Sequence, residues 1–394
     1  MLDRRTIEIV KSTLPLLAEA GPALTAHFYQ RMFKHNPELK EVFNLSHQHN
    51  GRQPAALFDA IAAYGSHLED LSALTAAVER IAHKHTGFLI EPAQYAIVGE
   101  HLLATLRELG GEAVTDEVIE AWGKAYGLLA QVFIDREAAL YQEAAEQHGG
   151  WQGTRRFRIH RKVVESSQIT SFELVPEDGK PVAHYLPGQY LSLKLSHPSL
   201  PHTEIRQYSL SEMANGQRLR ITVKRDGQVS SLLHDHFHQG DTLEVIPPAG
   251  DFVLNADSAT PVTLISAGVG LTPMWAMLES RMADAQAQTL WLHACDNGAH
   301  HALKAPLQAQ LAKANQLEAR VWYREPIESD RPGEDYQHRG LMDLSAVAET
   351  LPKQGEYYLC GPQPFMASVV EQLRALGVND AQIHYELFGP HQTL

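Results

Sequence analysis

Over the first 147 residues apolar side chains recur at spacings of three and four, with no sustained alternation, which predicts helices throughout. Ile7, Val10, Leu14 and Leu17 form one such stripe between Leu2 and Ala20. Gly21-Pro22 restarts the chain, since proline suits a first helical turn, and Pro37, Pro54 and Pro92 mark further starts or stops. Gly149-Gly150 ends this regime, and the period then changes to two. Residues 154–163, 169–174, 190–195 and 219–224 alternate between turn signals, the pattern of a closed antiparallel barrel. From about Pro261 the apolar runs 262–266, 289–294, 320–323 and 357–360 alternate with helical stretches, which predicts a βαβ unit with a parallel sheet. The expected fold class is multi-domain: an all-α domain, an antiparallel β-barrel, then an α/β nucleotide-binding domain.

At 394 residues the chain has room for two or three domains. Its net charge of -14 argues against a nucleic-acid or membrane-surface role, either of which calls for a basic patch. It has no run of about 18 apolar residues, and its N-terminus lacks the apolar core of a signal peptide, so the expected location is cytoplasmic. The only cysteines are Cys295 and Cys360, with no Cys-x-x-Cys, which supports neither a disulfide scaffold nor an iron–sulfur cluster.

Chemistry enters with three short segments. The run 261–266 leads into Ala267-Gly-Val-Gly-Leu-Thr-Pro273, a Gly-rich loop that lets backbone N–H groups approach a pyrophosphate at a helix start. Upstream lies Arg206-Gln-Tyr-Ser209, and downstream Cys360-Gly-Pro362 follows an apolar strand. In this order and spacing they resemble the ferredoxin–NADP reductase family. The resemblance implies that Arg206 neutralises the FAD pyrophosphate, Tyr208 stacks on the flavin, Ser209 hydrogen-bonds it, neighbouring Gln207 belongs to the same FAD site, and Tyr190 lies on the ribityl or adenine side. It also implies that Gly227, Gln228, Val229 and Ser230 meet the diphosphate. Gly268, Val269, Gly270, Leu271, Thr272 and Pro273 are then expected to cradle NAD(P)H, with Cys360, Gly361 and Pro362 shaping its nicotinamide end. Asp296, just after a strand, suits a ribose 2′-hydroxyl, whereas His300, His301 and Lys304 suit a phosphate, so the choice of NADH or NADPH stays open. His234, His236 and His238 would share a face on a strand, but the resemblance makes this stretch a helix and its exit, so zinc is not favoured.

In the helical part, the stripe Val78, Ile81, Ala82, His85, Phe88 puts an imidazole on a buried face. Glu137 extends the stripe Trp122, Tyr126, Leu129, Phe133 with a carboxylate where an apolar group is expected, and Tyr95 falls in the first turn after Pro92. A buried carboxylate needs a partner, and a His–Tyr–Glu network supplies one. With Lys84-His85-Thr86 and Ala121-Trp-Gly-Lys-Ala-Tyr126, this region resembles the globin of flavohaemoglobins. That likeness implies haem b with His85 as proximal iron ligand, Phe43 and Leu57 packing the haem, and Tyr29 and Gln53 as the distal pair that hydrogen-bonds dioxygen. It places Lys84 and Glu386 at a flavin–haem junction and Leu387, Phe388, Gly389 and Pro390 over the flavin; many relatives carry Cys where this chain has Leu387. A solvated helix lysine is an equal reading of Lys84.

The implied domains are 1–148 (globin), 152–258 (FAD) and 259–394 (NAD(P)). The implied activity is nitric oxide dioxygenation, in which nitric oxide and O2 become nitrate at the expense of NAD(P)H through FAD and haem. The rivals are an NAD(P)H oxidase or ferric reductase and a haem-based oxygen or nitric oxide sensor. Only small-molecule partners are expected, without nucleic acid or an obligate membrane or protein partner, for a monomer.

Overall fold

The computed structural model describes residues 2–42 and 60–389. They divide into two compact units, the first built on Met1–Glu146 with Lys194–Ile205 and Gly389, the second on Gln147–Leu193 and Arg206–Phe388.

In the first unit, α1 (Arg4–His35) starts at Asp3, whose carboxylate accepts from Thr6 N–H at 2.9 Å. The sequence break at Gly21 is a kink within this helix, at φ 45°. Further on lie α2 (Thr75–Thr86), α3 (Pro92–Gly110) and α4 (Asp116–Glu146). The stripe Val10, Leu17, Leu24 meets Leu106, Trp122 and Ala125 in one apolar core. Trp122 Nε1–H donates to Thr13 at 2.9 Å, so the largest side chain of that core leaves no unpaired donor. Among the described residues no helix is long and apolar enough to cross a membrane.

Residues 155–386 form two six-stranded sheets. The antiparallel one comprises β1 (Arg155–Val164), β2 (Ile169–Pro176), β3 (Tyr190–Leu195), β4 (Glu204–Ser209), β5 (Leu219–Lys224) and β6 (Thr242–Ala249), in the order β4-β3-β6-β1-β2-β5. Its outer strands meet where Leu210, just past β4, bridges Ile221 of β5, which closes the barrel. Between β5 and β6 runs α5 (Gln228–His236), a helix as the resemblance implied. His234 Nε2–H donates to Val223 O at 2.9 Å, and no metal-binding cluster occurs among the described residues.

The parallel sheet comprises β7 (Val262–Ala267), β8 (Thr289–Cys295), β9 (Leu317–Tyr323), β10 (His338–Arg339), β11 (Glu356–Cys360) and β12 (Ile383–Glu386), in the order β10-β9-β8-β7-β11-β12. Three helices pack on it: α6 (Leu271–Met282), α7 (Lys304–Leu311) and α8 (Gln363–Ala375). The link from the barrel is pinned by Arg281, buried among acceptors: Asp257 O at 2.7 Å, Thr260 O at 2.8 Å and Gln288 O at 3.0 Å. Because β7 is flanked by β8 on one side and β11 on the other, the strand order reverses there. A crevice at the strands' C-terminal ends follows.

Candidate functional site

His85 sits in the last turn of α2, which Leu89 ends by taking φ 55° while the His85 carbonyl accepts from Phe88 and Ile90 N–H at 2.9 and 3.1 Å. Two residues later a capping box between Glu91 and Gln94, with Pro92 in the first turn, starts α3 and so fixes Tyr95. Its carbonyl accepts from the Tyr126 hydroxyl at 2.6 Å. Glu137 enters from α4. The three polar groups converge: His85 Nδ1 lies 2.7 Å from Glu137 Oε1 and 2.8 Å from the Tyr95 hydroxyl, which donates to the same carboxylate oxygen at 2.5 Å.

The Glu137 side chain is 4% exposed and that of His85 33%, so the imidazole straddles the edge of the core rather than lying fully inside it. Burial, then Glu137, pushes the Tyr95 phenol well above its usual range, which keeps it a donor. With Nδ1–H spent on the carboxylate, the Nε2 lone pair is free to ligate a metal. This tautomer is what an iron-bound proximal histidine requires.

Tyr29 is buried in α1 against Phe28 and Phe33, with ring centroids at 5.0 and 5.9 Å. Phe43, Gln53, Leu57 and Pro390, assigned from the resemblance, lie outside the described residues. Lys84 Nζ donates to Gly389 O at 2.6 Å, so it is not a merely solvated helix lysine.

In the second unit, Arg206, Gln207 and Tyr208 are half-buried along β4 and Ser209 is buried. Burial, then the charges of Glu386 and Asp251, pushes the Tyr190 phenol up, offset in part by a hydrogen bond with Gln207. Gly227 takes φ 90°, and a Cβ there meets nothing within 4 Å, leaving the start of α5 open for a close backbone approach. Val229 is buried, and the Ser230 hydroxyl is engaged inside the loop, 2.8 Å from Asp226 N and 2.7 Å from Asp226 O.

On the parallel sheet, Cys360 pairs in register with Ser266 on one side and Glu386 on the other. The Gly268–Gly270 turn, Cys360-Gly361 and Glu386 therefore share the C-terminal edge at the switch point. The approach is close: a Cβ on Gly270 falls 2.2 Å from Cys360 O. Gly268, at φ 54°, has open space instead, and Thr272 Oγ1–H donates to Val269 O at 3.0 Å as α6 begins with Leu271 and Pro273. Pro362 caps α8, Phe388 is exposed, and Leu387 is half-buried.

Farther along that edge, Asp296 pairs with Arg324 at 2.9 Å and Lys304 with buried Asp335 at 2.9 Å. His300 bonds Asn297, and His301 is buried against Tyr323 at 2.9 Å. Lys304 and His301 are thus committed within the fold, and Asp296 keeps a cation beside it. Burial, then Lys304, pulls the His301 imidazole down to about 4. The unfolded chain therefore takes up a proton first as pH falls. The stability conferred by neutral His301 is present above about pH 6.5 and is lost toward pH 4, a change of about 3 kcal/mol. Urea midpoints at pH 7 and pH 4.5 are expected to differ accordingly, with a shallower difference in His301→Gln; equal pH dependence of the two proteins would contradict this.

Residues 26–133 match the globin family, 156–254 the oxidoreductase FAD-binding domain and 264–371 the oxidoreductase NAD-binding domain. A flavohaemoglobin from Malassezia yamatoensis, solved with FAD and haem, superposes with a TM-score of 0.87 at 25% identity, covering 98% of this chain and 100% of its own. The FAD/NAD-binding domain of a nitric oxide dioxygenase from Vibrio cholerae is 40% identical, with a TM-score of 0.56; the match covers 60% of this chain and 99% of that one. The chain belongs to the flavohaemoglobin family.

As a flavohaemoglobin it is an oxidoreductase of haem, FAD and NAD(P)H. Its residues fit these groups. The carboxylate at His85 Nδ1 can only accept, which keeps that proton in place and leaves Nε2 for a metal, and the open glycines Gly227 and Gly268 leave backbone-lined room for phosphates. The cytochrome b5 reductase domain of Ulva prolifera nitrate reductase, 18% identical with a TM-score of 0.52 over 59% of this chain and 97% of that one, shares the fold of the second unit. Arg220 and Glu279, whose bonds join the barrel to α6, stand out only in the fold. Each resembles a solvated charge on its own element, and only their partners distant in sequence distinguish them.

Proposed function

We propose that this flavohaemoglobin is a nitric oxide dioxygenase, converting nitric oxide and O2 to nitrate with NAD(P)H as a single cytoplasmic chain. In this reading 1–148 holds haem b, 152–258 holds FAD and 259–394 binds NAD(P)H. The observation that carries it is the His85–Tyr95–Glu137 network, present in one chain with an FAD/NAD(P)H reductase module. Bound FAD takes a hydride as an electron pair and releases electrons singly, while bound haem supplies the iron at which O2 and nitric oxide react.

The chain's own residues set the conditions. The Glu137 carboxylate draws on the His85 N–H and makes Nε2 a stronger electron donor, which favours oxygen activation over storage. Tyr95 holds that carboxylate in place by donating to the same oxygen that accepts from His85. Tyr29 offers a phenol O–H to the partial negative charge on dioxygen, and Gln53 an amide. Gly268, Gly270 and Thr272 would hold the nicotinamide nucleotide, and the Arg206 guanidinium would neutralise the FAD pyrophosphate.

A nitric oxide electrode trace in air-saturated buffer, before and after NADH, tests the reading. Rapid NADH-dependent loss with about one nitrate formed per nitric oxide is expected. Persistence of nitric oxide while NADH and oxygen are consumed would make the chain an oxidase. Tyr29→Phe is expected to speed dioxygen dissociation and lower turnover by about tenfold or more, equivalent to one lost charge-assisted hydrogen bond. An unchanged off-rate would remove Tyr29 from this role.

A further inference from the structure

The carboxylate of Glu279 stands on α6, two turns beyond the Gly268–Gly270 turn, and collects donors from both halves of the second unit. Oε2 accepts from Met213 N–H at 2.8 Å, and Oε1 from Trp275 Nε1–H at 2.6 Å, with the Arg220 guanidinium 3.5 Å from Oε1. Arg220 lies on β5 and also donates to Ser211 O, through Nε at 3.0 Å and through Nη2. Ser211 and Met213 are the direct continuation of Arg206-Gln-Tyr-Ser209.

The barrel clamps that continuation on its other sides. Leu210 N–H donates to Gln189 O at 2.9 Å, Ser211 N–H to Arg220 O at 2.8 Å, and the Tyr185 hydroxyl to Glu212 O at 3.0 Å. A second contact of α6 reaches the other flavin segment: the Met277 methyl lies 2.7 Å from where a Cβ on Gly188 would stand. Gly188 belongs to the Pro187-Gly-Gln-Tyr190 stretch.

The helix is therefore held at both ends, at the Cys360 backbone through Gly270 and at the barrel through Glu279 and Met277. A helix of this length transmits a shift at one end to the other with little bending. Hydride transfer tolerates little misplacement, since reacting atoms must meet at about 3–3.5 Å and a shift of about 1 Å costs about a hundredfold.

We propose that Glu279 is a positioning residue for hydride transfer, fixing the nucleotide helix against the flavin strand. The inference rests on assigning 206–209 to flavin and 268–273 to the nicotinamide nucleotide. Its chemistry is specific to a carboxylate: Met213 and the Trp275–Arg220 pair demand an acceptor at both oxygens, whereas a glutamine amide accepts at only one.

The test uses the full-length protein loaded with haem and FAD, mixed anaerobically with NADH and followed at the flavin absorbance. Glu279→Gln is expected to slow flavin reduction about tenfold with FAD content and calorimetric NAD+ affinity unchanged, and to weaken the reduced-flavin–NAD+ charge-transfer band. Hydrogen exchange at the Met213 amide is expected to rise with it. Glu279→Asp, too short to span both donors, keeps the charge and is expected to lose rate likewise, which covers a folding failure of the first variant. Wild-type reduction rates despite raised Met213 exchange would overturn the proposal, as would rate losses that merely track lost FAD or weakened NAD+ binding. If NADH fails to reduce the wild-type flavin at all, the nucleotide assignment itself falls, and the proposal with it.

Discussion

Replacing His85 with alanine is expected to leave a protein that retains FAD and reduces ferricyanide with NADH but holds no haem and consumes no nitric oxide. Under the proposed function this side chain is the iron ligand, and among the described residues it is the imidazole that Tyr95 and Glu137 hold through Nδ1. Its loss also strands a carboxylate that is 4% exposed with only the Tyr95 hydroxyl as partner. Losing a hydrogen bond to a buried carboxylate costs about 1.5–3 kcal/mol, so a lower unfolding midpoint of the helical unit is expected alongside the missing Soret absorbance. His85→Ala protein with a full complement of haem, by pyridine haemochrome assay, would refute the proximal assignment.

Gly270→Ala is expected to do the reverse. The added methyl falls 2.2 Å from Cys360 O, 2.4 Å from Cys360 C and 2.7 Å from Gly361 N, all backbone atoms with no rotamer to yield. The Gly-rich turn and the β11 end must separate, and the proposed nicotinamide end of the site moves with them. NADH-driven flavin reduction is expected to fall by about a hundredfold or more, while haem content and reduction by dithionite stay intact. A variant that reduces at the wild-type rate would show that the close approach has no part in nucleotide binding.

The alternating runs of β1, β2, β3 and β5 and the apolar runs of β7, β8, β9 and β11 were legible because each has a clear period or a flanking breaker. β6 was not, since Pro247-Pro248 near its end reads as a turn, a pair that a strand tolerates only at an edge or irregularity. β12 is four half-buried residues with no alternation, and β10 is only two residues long. β4 was visible only as a motif, its half-buried Arg206, Gln207 and Tyr208 hiding the strand period.

At the site, Glu137 was legible because a carboxylate interrupts an apolar stripe. His85 was expected to be more deeply buried than it is. Its helix ends within a residue of it, and that ending brings the ring to the margin of the core. The alternative nucleotide contacts at His301 and Lys304 could not be resolved by spacing, because Tyr323 and Asp335 come from segments far along the chain.

The bridge between Leu210 and Ile221 joins the two end strands of the antiparallel sheet. An open six-stranded sheet would present two rows of unpaired amides to any passing strand, whereas here the end of the outer strand β4 is joined through Leu210 to Ile221 of the other outer strand β5. The parallel sheet ends instead in strands of two and four residues, too short to template a long intermolecular ladder. Both sheets thus offer an incoming strand little free edge.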